Sequence, residues 1–533
     1  MDALWREQNA STPAALSRLS IFIESKDGSS PFFHSLPRGP LSIILGVVAL
    51  FILGLGPLYD FLERKGNKHT IIGDCGWWLR RTGLTRFNLD PNNIVFRGYD
   101  NFTKQDKIWA TWINDELIHI LPPSLVDDVK NQPLQKLSFL KVVDEHFMWN
   151  LHVGDMVCQR DYVKAVKSQL NFSLPTMTNY IAAQTDIAID ERVAPKGNLR
   201  GWRTVMLWDA TLDIIHRVTA AVMVGPELAA DAEYIYHARG YTEEVTNWNA
   251  KLFAMPDFLR TIFWRLSSGG RLIRYHQREV QKKVYPELRR RQAGDFSSEN
   301  FAMLDGLLKS AKDDTEQSYA RIVNQELFLT FAAAGLFSVV VCQLILSVLG
   351  HPKYLEPLRE EITTAVNEHG GWTKEACAKM PKLDSFLRET LRLSPPTAFT
   401  LQRKVDVDIP LSNGEVVKAG TLIGFPTLAI QRDPEFYENP LEFDGYRFFN
   451  ADDNISAVRS VTQSRTYLPF GYGTQTCPGR FLATETAKIV FAKFLVDYEM
   501  RFTPERLGKP VDWPIGGQIM PNIDTYVSMR RRA

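Results

Sequence analysis

A chain of 533 residues with 45% hydrophobic residues is long enough for one large or two ordinary domains. Its 62 Lys+Arg against 61 Asp+Glu leave almost no net charge, which argues against nucleic acid as a main partner. Five scattered cysteines (Cys75, Cys158, Cys342, Cys377, Cys477), odd in number and without a C-x-x-C pair, exclude a disulfide framework and a multi-cysteine zinc site.

In chain order, the first feature is Leu41 to Tyr59, "LSIILGVVALFILGLGPLY". This uncharged run of about 19 residues matches a bilayer core and predicts one transmembrane helix. A buried core helix is the competing reading, disfavoured because the run has no polar face. Arg64, Lys65 and Lys68 crowd its C-terminal flank and Arg38 stands alone near the other, an asymmetry that places the C-terminal body in the cytosol. Residues 1–40 are then a lumenal tail and 60–84 a linker. Asn9-Ala10-Ser11 is a glycosylation sequon on the lumenal side, although three more, at Asn101, Asn171 and Asn454, fall in the body.

From residue 85 to 533 no low-complexity linker, repeat or long charge block interrupts the alternation of helical and extended patterns, so one large, predominantly helical α+β domain is expected. "IWATWINDELIHIL", Ile108 to Leu121, predicts a hairpin turning at Asn114-Asp115 and closed by Pro122-Pro123. Amphipathic periodicity predicts helices over Asp209–Val224, Asn324–Gly350, Leu355–His369 and Leu383–Leu393. Trp248 to Leu266, rich in aromatic and aliphatic residues and punctuated by Lys251, Arg260 and Arg265, reads equally as ordinary packing or as a surface that dips into a membrane.

Two motifs toward the C-terminus carry chemistry. In "LDSFLRETLRLSPP", Glu389 and Arg392 stand at i and i+3 on one helix face, a pairing that alone is worth tenths of a kcal/mol. In "LPFGYGTQTCPGRFLA", Gly471, Gly473, Pro478 and Gly479 surround Cys477, so the backbone there can lie flat against a wide ligand. Pro478 opens a helix whose first amides face the sulfur and favour its thiolate.

Phe470-x-x-Gly473-x-x-x-Cys477-x-Gly479, followed by Arg480 and Ala483, resembles the haem-binding signature of the cytochromes P450. The resemblance extends from about Ile108 to the C-terminus, and "HPKYLEPLREEI" and "EFDGYRFF" are similar to filamentous-fungal members. It implies haem b with iron axially ligated by Cys477, Phe470 shielding the sulfur, and Gly473 and Gly479 admitting the porphyrin. Gln475 and Arg403 then fall where the family addresses haem propionates. Glu389 and Arg392 correspond to the K helix, with Arg447 completing a buried triad. Phe147–Trp149, Thr397–Phe399 and Ile515–Met520 fall where the family lines its substrate pocket. The implied protein is a single-pass enzyme of the endoplasmic reticulum membrane with a cytosolic catalytic domain. NADPH–cytochrome P450 reductase would be its electron donor, and its substrate a hydrophobic secondary metabolite such as a terpenoid, alkaloid or polyketide.

Several positions depart from the family pattern. The central helix, "LFLTFAAAGLFSVVVCQLILSVLGHP", holds Ala333 and then Gly335 and Leu336 where an acid and a threonine usually deliver protons during oxygen activation. Ser338 reaches that position only by a two-residue shift, about 200° around the helix. Either Gly335 keeps the oxygen groove while water or a substrate hydroxyl supplies protons, or the chemistry is a peroxide-driven, rearrangement or non-redox cyclisation reaction. Gln475 replaces a basic residue, leaving a propionate partner without charge. Trp77 and Arg81 match the family's Trp-x-x-x-Arg only by coincidental placement, and no Pro-rich hinge follows the anchor.

Overall fold

The computed structural model describes Leu58, Phe61 and residues 67–532 except 77–79, 81–84, 114–115, 155–160, 194–200, 254, 256, 295–301, 312–315 and 453–454. The chain divides into two compact units, 1–68 with 76–78, and 69–75 with 79–533. The expected transmembrane run 41–59 lies outside the described residues apart from Leu58, as do Asn9, Trp77, Arg81 and the Asn114-Asp115 turn. The second unit carries the cysteine loop.

Its principal helices are α1 (Phe139–Phe147), α2 (Leu207–Val224), α3 (Ala232–Phe253), α4 (Asp257–Leu266), α5 (Ser268–Gln292), α6 (Glu316–Gly350), α7 (Leu355–Glu368), α8 (Pro381–Leu393) and α9 (Arg480–Asp497). The strands that matter for the site are β1 (Trp109–Ile113), β2 (Glu116–Ile120), β3 (Leu137–Ser138), β4 (Thr400–Val405), β5 (Leu422–Phe425), β6 (Trp513–Ile515) and β7 (Gln518–Met520). Helix dominates, with small sheets, as expected from the sequence.

Local chemistry sets the element ends. Gly225, at φ 99, stops α2 where an L side chain is strained. Ser138 caps α1, its hydroxyl accepting from the Lys141 amide at 3.2 Å. Pro381 opens α8 at a position that needs no amide donor. The stretch Trp248 to Leu266 divides between α3 and α4: Leu252 and Trp264 are buried, whereas Ile262 and Leu266 are 56% and 73% exposed. Ordinary packing thus accounts for the buried pair, and the exposed pair is left as surface.

The five-stranded sheet runs β1-β2-β5-β4-β3, antiparallel except for the β2/β5 pair, where Ile118 faces Leu422. Strands β1 and β2 form the expected hairpin, with Trp109 opposite Ile120. Upstream, Thr70 and Ile72 hydrogen-bond Ala110, so residues 69–75 join this unit ahead of the boundary at 85. Between Thr400 and Arg403 the β4/β5 register shifts, and Leu401 takes φ 49; this bulge re-aims the strand just before Arg403.

Among the described residues two main apolar cores result, beside a small cluster of Met148, Leu252 and Trp264. The larger joins the helices around α6, and the smaller packs beneath the sheet and includes Trp109, Ile118, Phe399 and Phe425. Helix α6 is long and apolar enough over Ser318–Gly350 to cross a membrane, but most of it is enclosed by protein, as befits a central core helix.

Candidate active site

The segment before α9 is a folded loop held by its own backbone. Gly471 donates to Leu468 O at 2.9 Å, and Cys477 donates to Phe470 O at 2.9 Å. Gly473 stands at φ +82, and a Cβ there would lie 2.0 Å from the Lys130 carbonyl oxygen. The loop therefore needs that glycine to seat against the 126–130 helix, whereas the expectation was close approach to a ring. At Gly479, by contrast, a Cβ would meet nothing within 4 Å.

Cys477 presents its surface to open space, yet the protein around it is dense enough that burial pushes its thiol up; the Gly479 amide, the Arg480 charge and the Arg480 amide oppose that rise. These observations together describe a sulfur at the bottom of a recess, facing the first amides of α9. The Arg480 guanidinium also donates to Cys477 O at 2.9 Å, fixing the turn into the helix. Phe470 and Ala483 pack against the same apolar core as Ala333 and Phe337 of α6.

On α6 the departures from the family pattern take physical form. Leu336 is 44% exposed in the middle of a helix whose neighbours Ala334 and Ser338 are fully buried, and a Cβ on Gly335 would meet nothing within 4 Å. This face of α6 fronts open space with no hydroxyl or carboxyl group at Gly335 or Leu336. Ser338 is turned away, its hydroxyl donating to Ala334 O at 2.7 Å.

Arg403 is 2% exposed, and its Nη1 donates to Gln402 O at 2.8 Å. Its Nε and Nη2 have no hydrogen-bond partner among the described residues, and burial lowers its pKa to about 10. An unpaired buried guanidinium costs several kcal/mol unless an anion joins it, so the donor set fits an acidic group such as a haem propionate. Gln475 is used differently from the expectation. Its Nε2 donates to Leu137 O at 2.7 Å and its Oε1 accepts from the Phe139 amide at 3.1 Å, so it pins the Cys477 loop to the start of α1.

Glu389, Arg392 and Arg447 come together. Glu389 and Arg392 are fully buried, with Arg392 Nε and Nη2 at 2.7 and 2.8 Å from the two carboxylate oxygens. Arg447 Nε sits 3.2 Å from both. The Asp444 amide adds a fourth donor at 3.0 Å, and Arg392 Nη1 reaches the carbonyls of Gln431 and Pro440 at 2.6 and 2.7 Å. Sequence reasoning missed Gln431, whose buried amide donates to Arg392 O at 2.8 Å and accepts from the Leu468 amide at 3.2 Å. It thereby couples α8 to the cysteine loop, and a single glutamine in "AIQRDPEFYENP" carries no sequence signal for that.

The expected pocket segments are only partly open. Phe147 and Trp149 stand edge-on to Phe331 of α6 at 5.1 and 4.9 Å between ring centroids. Phe399 instead stacks on Phe87 at 5.4 Å within the sheet core. The β6/β7 hairpin joins this segment through Ala398 N to Gly517 O at 2.8 Å and Ile519 N to Pro396 O at 3.0 Å, with Ile515 left 52% exposed.

Known proteins are similar to this chain over most of its length. The family described as Cytochrome P450 matches residues 163–527. Cytochrome P450 monooxygenase verB of Clonostachys rogersoniana is 30% identical, covering 92% of this chain and 98% of that protein. Cytochrome P450 monooxygenase sirB of Leptosphaeria maculans is 32% identical over 85% of this chain and 88% of its own length. Bicoumarin synthase ktnC of Aspergillus niger is 28% identical, with 75% of this chain and 99% of that protein covered.

Proposed function

The chain belongs to the cytochrome P450 family, and from that premise we propose that it is a fungal monooxygenase whose haem b is held by the Cys477 thiolate. The observation that carries this reading is the Cys477 sulfur, set in a recess and faced by the Gly479 and Arg480 amides. Haem b bound through such a thiolate supplies oxygen activation, the sulfur donating electron density to the iron as it does across the family. The chain's own residues would hold and shield that centre: Arg403 offers two unsatisfied donors to a propionate, and Phe470, packed against the larger core and bonded through its carbonyl to the Cys477 amide, would shield the sulfur.

A hydrophobic small molecule is the proposed substrate, a secondary metabolite such as a terpenoid, alkaloid or polyketide. The apolar and aromatic side chains Phe147, Phe331 and Leu336 would orient it and exclude water, with fully buried Trp149 packed behind Phe331. Electrons would come from NADPH–cytochrome P450 reductase. The run 41–59 would anchor the protein in the endoplasmic reticulum membrane, with exposed Ile262 and Leu266 of α4 resting on the same surface.

One observation favours a second reading. With Leu336 at the threonine position and Ser338 bonded back to Ala334, this face of α6 offers no side-chain relay for protons at those positions. A peroxide-driven, rearrangement or non-redox cyclisation reaction dispenses with that relay. Reconstitution with the reductase and a candidate metabolite separates the two: NADPH consumption coupled to product supports the monooxygenase, and product formed without NADPH or reductase overturns it. Cys477→Ala should abolish the carbon monoxide difference band of a thiolate-ligated haem; an unchanged spectrum removes Cys477 from its proposed role.

A further inference from the structure

Away from the cysteine recess, α3 and α5 pack side by side and bring two histidines into contact. His237 Nδ1 lies 3.0 Å from His276 Nδ1, and both rings are buried, at 4% and 7% exposure. The contact is built into the backbone: a Cβ on Gly240 would lie 2.5 Å from the His276 ring, so only glycine lets that imidazole seat against α3. Tyr275 stands edge-on to His237 at 5.4 Å, and Tyr236 to His276 at 5.9 Å.

With Nδ1 held by His276, Nε2 is the ring atom of His237 left to bind, and it makes no hydrogen bond among the described residues. Two carboxylates are in reach. Glu233 lies one turn before His237 on α3, Glu279 projects from α5, and one ligand atom from each of the three residues falls within 4.8 Å of the others.

We propose that Glu233, His237 and Glu279 form a binding site for a divalent transition ion of the zinc type, bridging α3 and α5. One imidazole nitrogen with two carboxylate oxygens selects such an ion over magnesium or calcium, which prefer oxygen alone. His276 is a positioning residue: through Nδ1 it fixes the tautomer and orientation of the His237 ring, the usual arrangement behind a metal-bound histidine. Bonds of about 2.1 Å to a tetrahedral ion require the three ligand atoms to close to about 3.4 Å. Glu233 and Glu279 can turn inward to do so, because the ion pairs that hold them, to Lys283 at 2.6 Å and Lys282 at 2.7 Å, lie on the solvent side and are cheap to exchange.

Such an ion would brace a helix pair that rests on the central helix. Tyr234 of α3 donates to Glu326 of α6 at 2.8 Å, and Gln277 of α5 donates to Asn324 of α6 at 2.8 Å. The test is titration of the haem-loaded full chain with zinc chloride, followed by calorimetry and by thermal unfolding, with magnesium chloride alongside. One saturable zinc per chain and a raised melting temperature that magnesium does not reproduce are expected. His276→Ala should weaken zinc binding about 10- to 100-fold, Glu233→Gln and Glu279→Gln at least as much, and the exposed control Glu505→Gln not at all. No saturable binding, equal binding by the Glu233→Gln/Glu279→Gln double variant, or an equal response to magnesium overturns the proposal. The two carboxylate variants change partly exposed groups, so they test the site without the folding risk of replacing His237.

Discussion

Replacing Glu389 by glutamine keeps the shape of the triad and removes its only negative charge. In the native arrangement that carboxylate accepts from Arg392 at 2.7 and 2.8 Å, from Arg447 at 3.2 Å and from the Asp444 amide at 3.0 Å, with no solvent contact. Without it the fully buried Arg392 keeps its carbonyl partners, Gln431 and Pro440, but has no counter-charge. Stranding a buried charge in this way costs about 3–5 kcal/mol. Arg447→Ala is a milder change: its side chain is 14% exposed, Glu389 keeps Arg392 and the amide, and what is lost is the contact of Arg447 Nε with the carboxylate and the solvent-side bonds of its guanidinium to the carbonyls of Glu438, Asn439 and Glu442, about 1.5–3 kcal/mol together. Equilibrium urea unfolding of the holoenzyme variants should therefore rank Glu389→Gln below Arg447→Ala, by about 1–2 kcal/mol between the centres of the two ranges. Equal losses, or a Glu389→Gln variant within about 1 kcal/mol of the parent, would refute the claim that burial of the charge sets the cost.

Three further outcomes follow from the same geometry. Gly473→Ala combines a positive φ with a clash against the Lys130 carbonyl and should cost about 3 kcal/mol and much of the haem content, whereas Gly479→Ala, with open space at its Cβ, should fold normally and lose haem affinity only; parallel denaturation and haem titration distinguish them. Arg403→Met removes a buried guanidinium with two unpaired donors, so haem should dissociate roughly tenfold to hundredfold faster in transfer to apomyoglobin, and an unchanged rate would deny Arg403 a propionate. Burial raises the Glu326 carboxyl from 4.5 to about 7, while hydrogen bonds from Thr330 and Tyr234 oppose the rise. Because the folded state holds this proton longer than the unfolded chain, the stability it confers is full below pH 4.5 and lost as pH rises to about 7, a change of roughly 3 kcal/mol. Glu326→Gln should flatten that part of the pH–stability curve, measured by urea unfolding from pH 4.5 to 8.

What was legible in the sequence were features that impose a local backbone rule. The cysteine loop announces itself because glycines at φ +73 and +82 are physically required and leave a fixed spacing around Cys477, although Pro478 stands one residue ahead of the Gly479 cap and does not itself open the helix at Arg480. The β1/β2 hairpin and helices α2, α6, α7 and α8 were legible for a similar reason, since hydrophobic period and terminal glycine or proline agree. Side-chain commitments made across hundreds of residues were not. Gln475 reads as a weakened propionate donor until α1 is seen to claim its amide, and Gly473 reads as room for a ring until the Lys130 carbonyl fills the space. Phe399 reads as pocket lining until Phe87, more than three hundred positions earlier, stacks on it. In each case a partner distant in sequence decided which of two chemically suitable roles the residue took. The same reasoning bears on Leu336. Its identity alone says only that the threonine is gone, but its exposure beside the open flank of Gly335, with Ser338 tied back to Ala334, locates the missing group on the face that fronts open space. Proton supply at that face, by water or by the substrate itself, is then the variable on which the choice between ordinary oxygenation and a redox-neutral reaction turns.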